Sequence, residues 1–222
     1  MSAVVTEPAV AEPLDVAALI RAASADDHRL TESRGFITRL MGGELTLADY
    51  TRYLAQFAWV YEALESRPDA GPDAGPTVFD PRLRRLTRIE SDLGALGASD
   101  WRERFPALPA TAAYAARLRA LVDSPDPLDH TVRYLAHHYA RYLGDLSGGQ
   151  AIAALVARHY GATPEQLSFY DFAELGSVVQ AKREYRERMN ALALDAAAVE
   201  ALVAEVGVAF RSNGAIFDGL DS

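Results

Sequence analysis

Apolar residues return every three or four positions along most of this 222-residue chain, and nowhere do they alternate over a strand's length. The clearest run is Tyr50, Leu54, Phe57, Tyr61 and Leu64, spaced 4-3-4-3, which places all five on one face of a helix. That period restricts the chain to an all-α fold. Half of its residues are apolar, enough for one compact multi-helix domain.

Local signals divide the chain into roughly seven or eight helices. Asp15 is a good N-cap for a first helix reaching about Ser33, with a break at Gly35. Thr46 and Asp49 have capping-box spacing ahead of the Tyr50 stripe. Asp80-Pro81 opens a helix carrying Leu83, Leu86, Ile89, Leu93 and Leu96 inward. Trp101 to Pro109 reads as a connector with one short turn, and Ala112 to Val122 as a helix. The longest helical segment runs from Pro127 to Gly161. "GATPEQLSFYDFAELG" reads as a loop, Ser177 to about Ala193 as a basic helix, and Asp195 caps a last helix ending near Phe217. The tandem DAGP repeat at 68–76 is a loop with no core role.

The longest segment contains an anomaly. "RYLGDLSGGQAIAAL", Arg141 to Leu155, carries Gly144, Gly148 and Gly149 inside a helical pattern. Each costs about 1 kcal/mol relative to alanine, so the three forfeit about 2–3 kcal/mol locally. At 3.6 residues per turn, Gly144, Asp145, Gly148 and Gly149 fall within an arc of about 140°. One side of the helix is therefore bare backbone with a single carboxylate in it. Two readings are open. Close helix packing explains the glycines alone, with Asp145 paired to Arg141 one turn earlier. The sharper reading is a large flat ligand laid against the bare face, with Asp145 as a polar group aimed into its pocket.

A flat ligand in a helical pocket suggests haem, which needs an axial ligand. Of the five histidines, His138 shares the helix and face of Asp145 and cannot easily reach the opposite side of such a ligand. His28 lies on the first helix, with Glu32 four residues on, where a carboxylate can fix an imidazole tautomer. Arg21 is two turns earlier on the same predicted helix, placed to meet a ligand's carboxylate. A solvated charged face is the alternative for Arg21, His28 and Glu32. In "KREYRER", Lys182 and Arg186 share a face and Arg186 could fork onto a carboxylate, unless this is simply a solvated surface. "RLRRLTR", with Arg82, Arg84, Arg85 and Arg88, reads as exposed charge or a docking patch for an acidic protein.

Several classes are excluded or disfavoured. A net charge of −9 argues against general affinity for nucleic acid. There is no cysteine, hence no disulfide and no thiolate chemistry. No apolar run approaches a membrane span, and the start has neither the basic nor the apolar part of a leader. The expectation is a cytoplasmic monomer, with residues 1–13 a disordered tail and 14–222 the folded domain.

These residues together resemble the haem oxygenases. "YARYLGDLSGGQ", Tyr139 to Gln150, is similar to that family's signature helix over a long contiguous stretch. "LIRAASADDHRLTE" resembles the proximal-histidine helix, and "WVYEALE", "KREYRERMN" and "AFRSNGAIF" follow in the family's order. The resemblance implies a bundle with haem between the first, proximal helix and a kinked, glycine-rich distal helix. It implies that His28 is the axial iron ligand with Glu32 hydrogen-bonded to it. Gly144, Gly148 and Gly149 would lie over the haem, and Asp145 would anchor a distal water network with Arg141 and Tyr61. Arg21, Tyr139, Lys182 and Arg186 would meet the propionates, and Phe210 and Asn213 would line the pocket.

Two departures stand out. Arg21 replaces the lysine of the best-known animal members, keeping the charge but altering its geometry. No hydrophobic tail follows, which points to a soluble bacterial-type member without a membrane anchor. The implied activity is O₂-dependent cleavage of haem, both substrate and cofactor, to biliverdin (the α isomer), CO and ferrous iron. Electrons would come from a partner protein, a ferredoxin or flavoprotein reductase. A non-catalytic haem carrier or sensor would need no Asp145, and a haem-free bundle enzyme would bind no hemin.

Overall fold

The computed structural model describes residues 15–67 and 78–222. The expected N-terminal tail at 1–13 and the Pro/Gly loop at 68–76 lie outside the described residues. Among the described residues there are eleven α-helical segments and no strand. They are α1 (Val16–Ala23), α2 (Ala25–Glu32), α3 (Gly35–Gly42), α4 (Leu47–Leu64), α5 (Leu86–Ala95) and α6 (Trp101–Arg104). After these come α7 (Pro109–Asp123), α8 (Tyr134–His138), α9 (Gly144–Tyr160), α10 (Val178–Asn190) and α11 (Ala196–Leu220).

The helix starts follow the chemistry of their caps. Asp15 accepts from the Ala18 amide and Asp195 from the Ala198 amide. Thr46 and Asp49 form the reciprocal capping box at α4. Gly43 and Gly161 close α3 and α9 in the left-handed conformation that favours glycine. The α4 stripe of Tyr50, Leu54, Phe57, Tyr61 and Leu64 is fully buried, and α4 forms the centre of the bundle between α5 and α7. The long α11 crosses α2, α7 and α8.

Three departures from the expected elements have physical causes. The first helix is interrupted at Ser24 (φ −96°, ψ 3°), whose hydroxyl donates back to the Ile20 carbonyl at 2.8 Å. Such back-bonding competes with the helical ladder and bends it. Arg21 and His28 therefore belong to consecutive helices, α1 and α2, rather than to one.

The helix expected from Pro81 is only one 3₁₀ turn, Pro81–Leu83, before α5 begins at Leu86. The cause is Arg85. Its guanidinium turns inward and takes the carbonyls of Arg82, Leu83, Arg84 and Asp171. Three of those carbonyls would have served a continuing helix. Glu65 accepts the amides of Arg85 and Leu86 and so caps α5 from another helix. In "RLRRLTR" only Arg85 departs from the exposed-charge reading by being buried; Arg82, paired with Asp80, and Arg84 are exposed, and the half-buried Arg88 pairs with Glu174.

The 127–161 segment is helical throughout, but with two π turns, Leu128–Arg133 and Tyr139–Leu143, around α8. The second ends where the glycines begin. π turns inside α-helices are rare and concentrate at functional sites.

Candidate active site

α2 brings no buried side chain to the core; it lies against α11. Thr31 donates to the Phe210 carbonyl at 3.0 Å, Arg211 pairs with Asp27, and the His28 ring meets Phe210 edge-on at 5.2 Å. Gly207 makes the close approach possible, since a Cβ there would sit 2.8 Å from Asp27 Oδ2. His28 faces α9 across a cavity of about 410 Å³, and an adjoining one of about 600 Å³ opens toward α1 and α10. His28, Glu32, Gly144, Gly148 and Phe210 line both. Both volumes lie within the range of about 300–1,000 Å³ usual for ligand sites.

One wall presents His28, half exposed, with Nδ1 3.2 Å from Glu32 Oε2. That contact leaves Nε2 as the nitrogen available to a ligand.

The opposite wall is backbone. A Cβ added at Gly144 or Gly148 would meet nothing within 4 Å. The third glycine differs: a Cβ at Gly149 would come within 2.9 Å of the Tyr170 ring. Both open readings of the glycines therefore apply, at different positions. Gly149 serves packing, while Gly144 and Gly148 keep the cavity clear.

Beside this wall lies a buried polar cluster. Arg141 donates to Asp145 Oδ1 at 3.1 Å, to the Tyr61 hydroxyl at 3.3 Å and to Asn213 Oδ1 at 3.2 Å. The Tyr61 hydroxyl donates to Asp145 Oδ2. Burial pushes the Asp145 carboxyl above its ordinary value, while Arg141, Tyr61 and the more distant Arg85 oppose that rise. The arrangement holds a carboxylate next to a cavity with donors on both oxygens.

The second cavity has a cationic rim. Arg21, Tyr139 and Arg186 line it, and Lys182 Nζ reaches Ser147 Oγ, also on the rim, at 3.3 Å. Burial raises the Tyr139 phenol, opposed by Arg186 and Arg21, so the three are electrostatic neighbours despite coming from three different segments. A ligand with anionic groups on one edge fits here.

All fourteen residues singled out in the sequence thus fall on the two cavities or their immediate supports. The remaining histidines face elsewhere. His138 is buried against Tyr185 and lowered to about 3, mainly by burial. His137 binds Tyr114 and Glu205, His130 the Val122 carbonyl, and His159 packs on Gly43. Sequence reasoning missed Tyr53, which lines the first cavity and packs 4.8 Å from Phe57. Its spacing, four before Phe57 and eight before Tyr61, was the available signal.

The donor set fits haem: one free imidazole nitrogen, a side-chain-free wall opposite, and cations at one edge. Known proteins agree with that geometry. Residues 14–219 match the family described as heme oxygenase. The chain is 32% identical to heme oxygenase 1 of Gallus gallus over 93% of its length and 70% of that protein's. It is 30% identical to heme oxygenase 1 of a Nostoc species, over 91% of its length and 84% of that protein's. The fold superposes on the crystal structure of heme oxygenase-1 from Synechocystis in complex with heme, with a TM-score of 0.84 and 29% identity. That match covers 94% of this chain and 93% of the other.

Proposed function

The chain belongs to the haem oxygenase family, and on that premise we propose that it cleaves haem oxidatively to biliverdin, CO and ferrous iron. The observation that carries this reading is the pairing across one cavity of His28–Glu32 with the open positions of Gly144 and Gly148 beside Asp145.

When bound, haem supplies both the iron that takes up O₂ and the ring to be cut. The chain's residues do the rest. His28 Nε2 would hold the iron, with Glu32 orienting the imidazole from Nδ1. Gly144 and Gly148 keep the wall opposite His28 free of side chains, which would leave space for O₂ there. Asp145, held by Arg141 and Tyr61, orders water and passes a proton to the distal side. No histidine faces that side from the described part of α9 to drive the peroxidase-type alternative. Arg21, Tyr139, Lys182 and Arg186 would hold the propionates, and on this reading they favour cleavage at the α position.

We further propose that electrons arrive from a ferredoxin or flavoprotein reductase, and that the protein acts as a cytoplasmic monomer. No helix among the described residues is long and apolar enough to cross a membrane. Hemin, a reductase system and air test the reading: loss of the Soret band with growth of bilin absorbance is expected. A Soret band that persists without bilin would instead mark a haem carrier or sensor. Product isomer analysis giving β or δ biliverdin would overturn the assignment of the α position to the propionate clamps.

A further inference from the structure

The two helices that carry the rim arginines are tied to each other away from the cavity. α1 has only eight residues, too few to hold a helix without outside contacts. Its first-turn amides have no acceptor within the helix. Asp15 Oδ1 accepts from the Ala18 amide at 2.9 Å. Asn190, the last residue of α10, accepts from the Ala17 amide with Oδ1 at 3.0 Å, and its Nδ2 donates to Asp15 Oδ1 at 3.0 Å. A residue 173 positions away thus completes the cap of α1. On another side α1 borders an open apolar groove, lined by Leu19, Leu194, Val199 and Val203, and gains no bracing there.

The tie stands one turn from each arginine. Arg21 is four residues after Ala17 on α1, and Arg186 four before Asn190 on α10. Each therefore shares a face with its end of the tie, about 6 Å along the helix axis. Both line the second cavity, and both bear on the Tyr139 phenol there. Neither is located by a partner of its own. Among the described residues Arg21 makes no hydrogen bond or ion pair, and Arg186 makes only a long contact, 3.5 Å, with the Lys182 carbonyl of its own helix. The place of each guanidinium therefore follows from where its helix lies. Bonds from Ala18 and Asn190 lower the Asp15 carboxyl, and Arg21 adds to that lowering, so the tie and this arginine are electrostatic neighbours as well.

We propose that Asn190, acting with Asp15, is a positioning residue for the anionic edge of the ligand: it fixes the spacing of Arg21 and Arg186 so that both meet the ligand's carboxylates. Asn190 lines neither cavity and acts only through the two helices. The proposal rests on the haem reading for the identity of those carboxylates, the two propionates.

Hemin and hemin dimethyl ester, which lacks the free carboxylates, separate this role from a general one. Equilibrium titrations of both into the full chain, read at the Soret band, need no turnover. Asn190→Ala should bind hemin about tenfold more weakly than the wild type, the scale of one charged hydrogen bond. It should bind the dimethyl ester as the wild type does. A merely structural role weakens both ligands alike. Asp15→Asn keeps an oxygen for the Ala18 amide and for Asn190 Nδ2, and should bind hemin as the wild type does. If Asn190→Ala does not fold, Asp15→Ala removes the other half of the tie and should show the same selective loss. Equal losses for hemin and its ester, or no loss for hemin, overturn the proposal. Wild-type protein that binds neither ligand sinks the haem reading, and this role with it. Wild-type protein that prefers hemin to its ester, with that preference unchanged in Asn190→Ala, sinks the role alone.

Discussion

Arg141 and Asp145 lie one helical turn apart and share a buried ion pair at 3.1 Å, with the Tyr61 hydroxyl bonded to both. A surface pair of this spacing would contribute little. Here the pair is enclosed, so removing one member leaves the other unpartnered in low dielectric.

Asp145→Ala should keep hemin binding, because the iron ligand and the propionate cations are untouched. It should slow biliverdin formation by about 10²-fold, the lower end of what a positioned proton donor contributes. Single-turnover absorbance spectra with reductant in air give the readout. Wild-type rates in that variant would remove Asp145 from the proton path.

The three glycines should separate cleanly by substitution. Gly144→Ala and Gly148→Ala gain helix propensity in open space and should raise stability by up to about 1 kcal/mol. Gly149→Ala forces a contact 2.9 Å from the Tyr170 ring and should lower stability by about 1–3 kcal/mol. Gly148→Leu should fold yet bind hemin about tenfold or more weakly, by filling the cavity. Urea unfolding and hemin titration distinguish these outcomes.

The caps at Asp15, Thr46 and Asp195 and the α4 stripe were legible because each depends on residues close in sequence. Part of the polar site was legible for the same reason, since Arg141, Asp145, Gly144 and Gly148 lie within eight consecutive residues, whereas Tyr61 and Asn213 entered only through the family resemblance. What could not be read needs tertiary partners. Arg85 looks like surface charge until Glu65 and the Asp171 carbonyl arrive from distant segments. Gly149 looks like its neighbours until Tyr170 packs against it. Ser24 interrupts a helix that periodicity alone would run through.

Acid stability should depend on Glu205. Its carboxyl is lowered from 4.5 to about 2 in the folded protein, against burial, by His137 and Arg117. A depressed carboxyl stabilises the fold above the unfolded value and loses that contribution as pH falls toward the folded one. Glu205→Gln should therefore flatten the fall of Tm between about pH 4.5 and pH 2, relative to the wild type. Superimposable acid limbs in the two proteins would contradict this.

His28→Ala should abolish the iron–imidazole bond while sparing the fold, since α2 buries no side chain. Hemin would then bind weakly through the cationic rim alone, and added imidazole should restore the axial-ligand spectrum. Electron paramagnetic resonance of the ferric complex checks this. An unchanged wild-type spectrum in the variant would move the ligand to another residue.

The most direct measurement is a single turnover. Hemin is bound at one equivalent, a reductase system is added in air, and the spectrum is followed from the Soret band to the bilin region. The expected result is Soret decay with matching growth of biliverdin absorbance and release of CO. A Soret band that persists, or that bleaches without bilin, would contradict haem cleavage at the His28–Asp145 cavity.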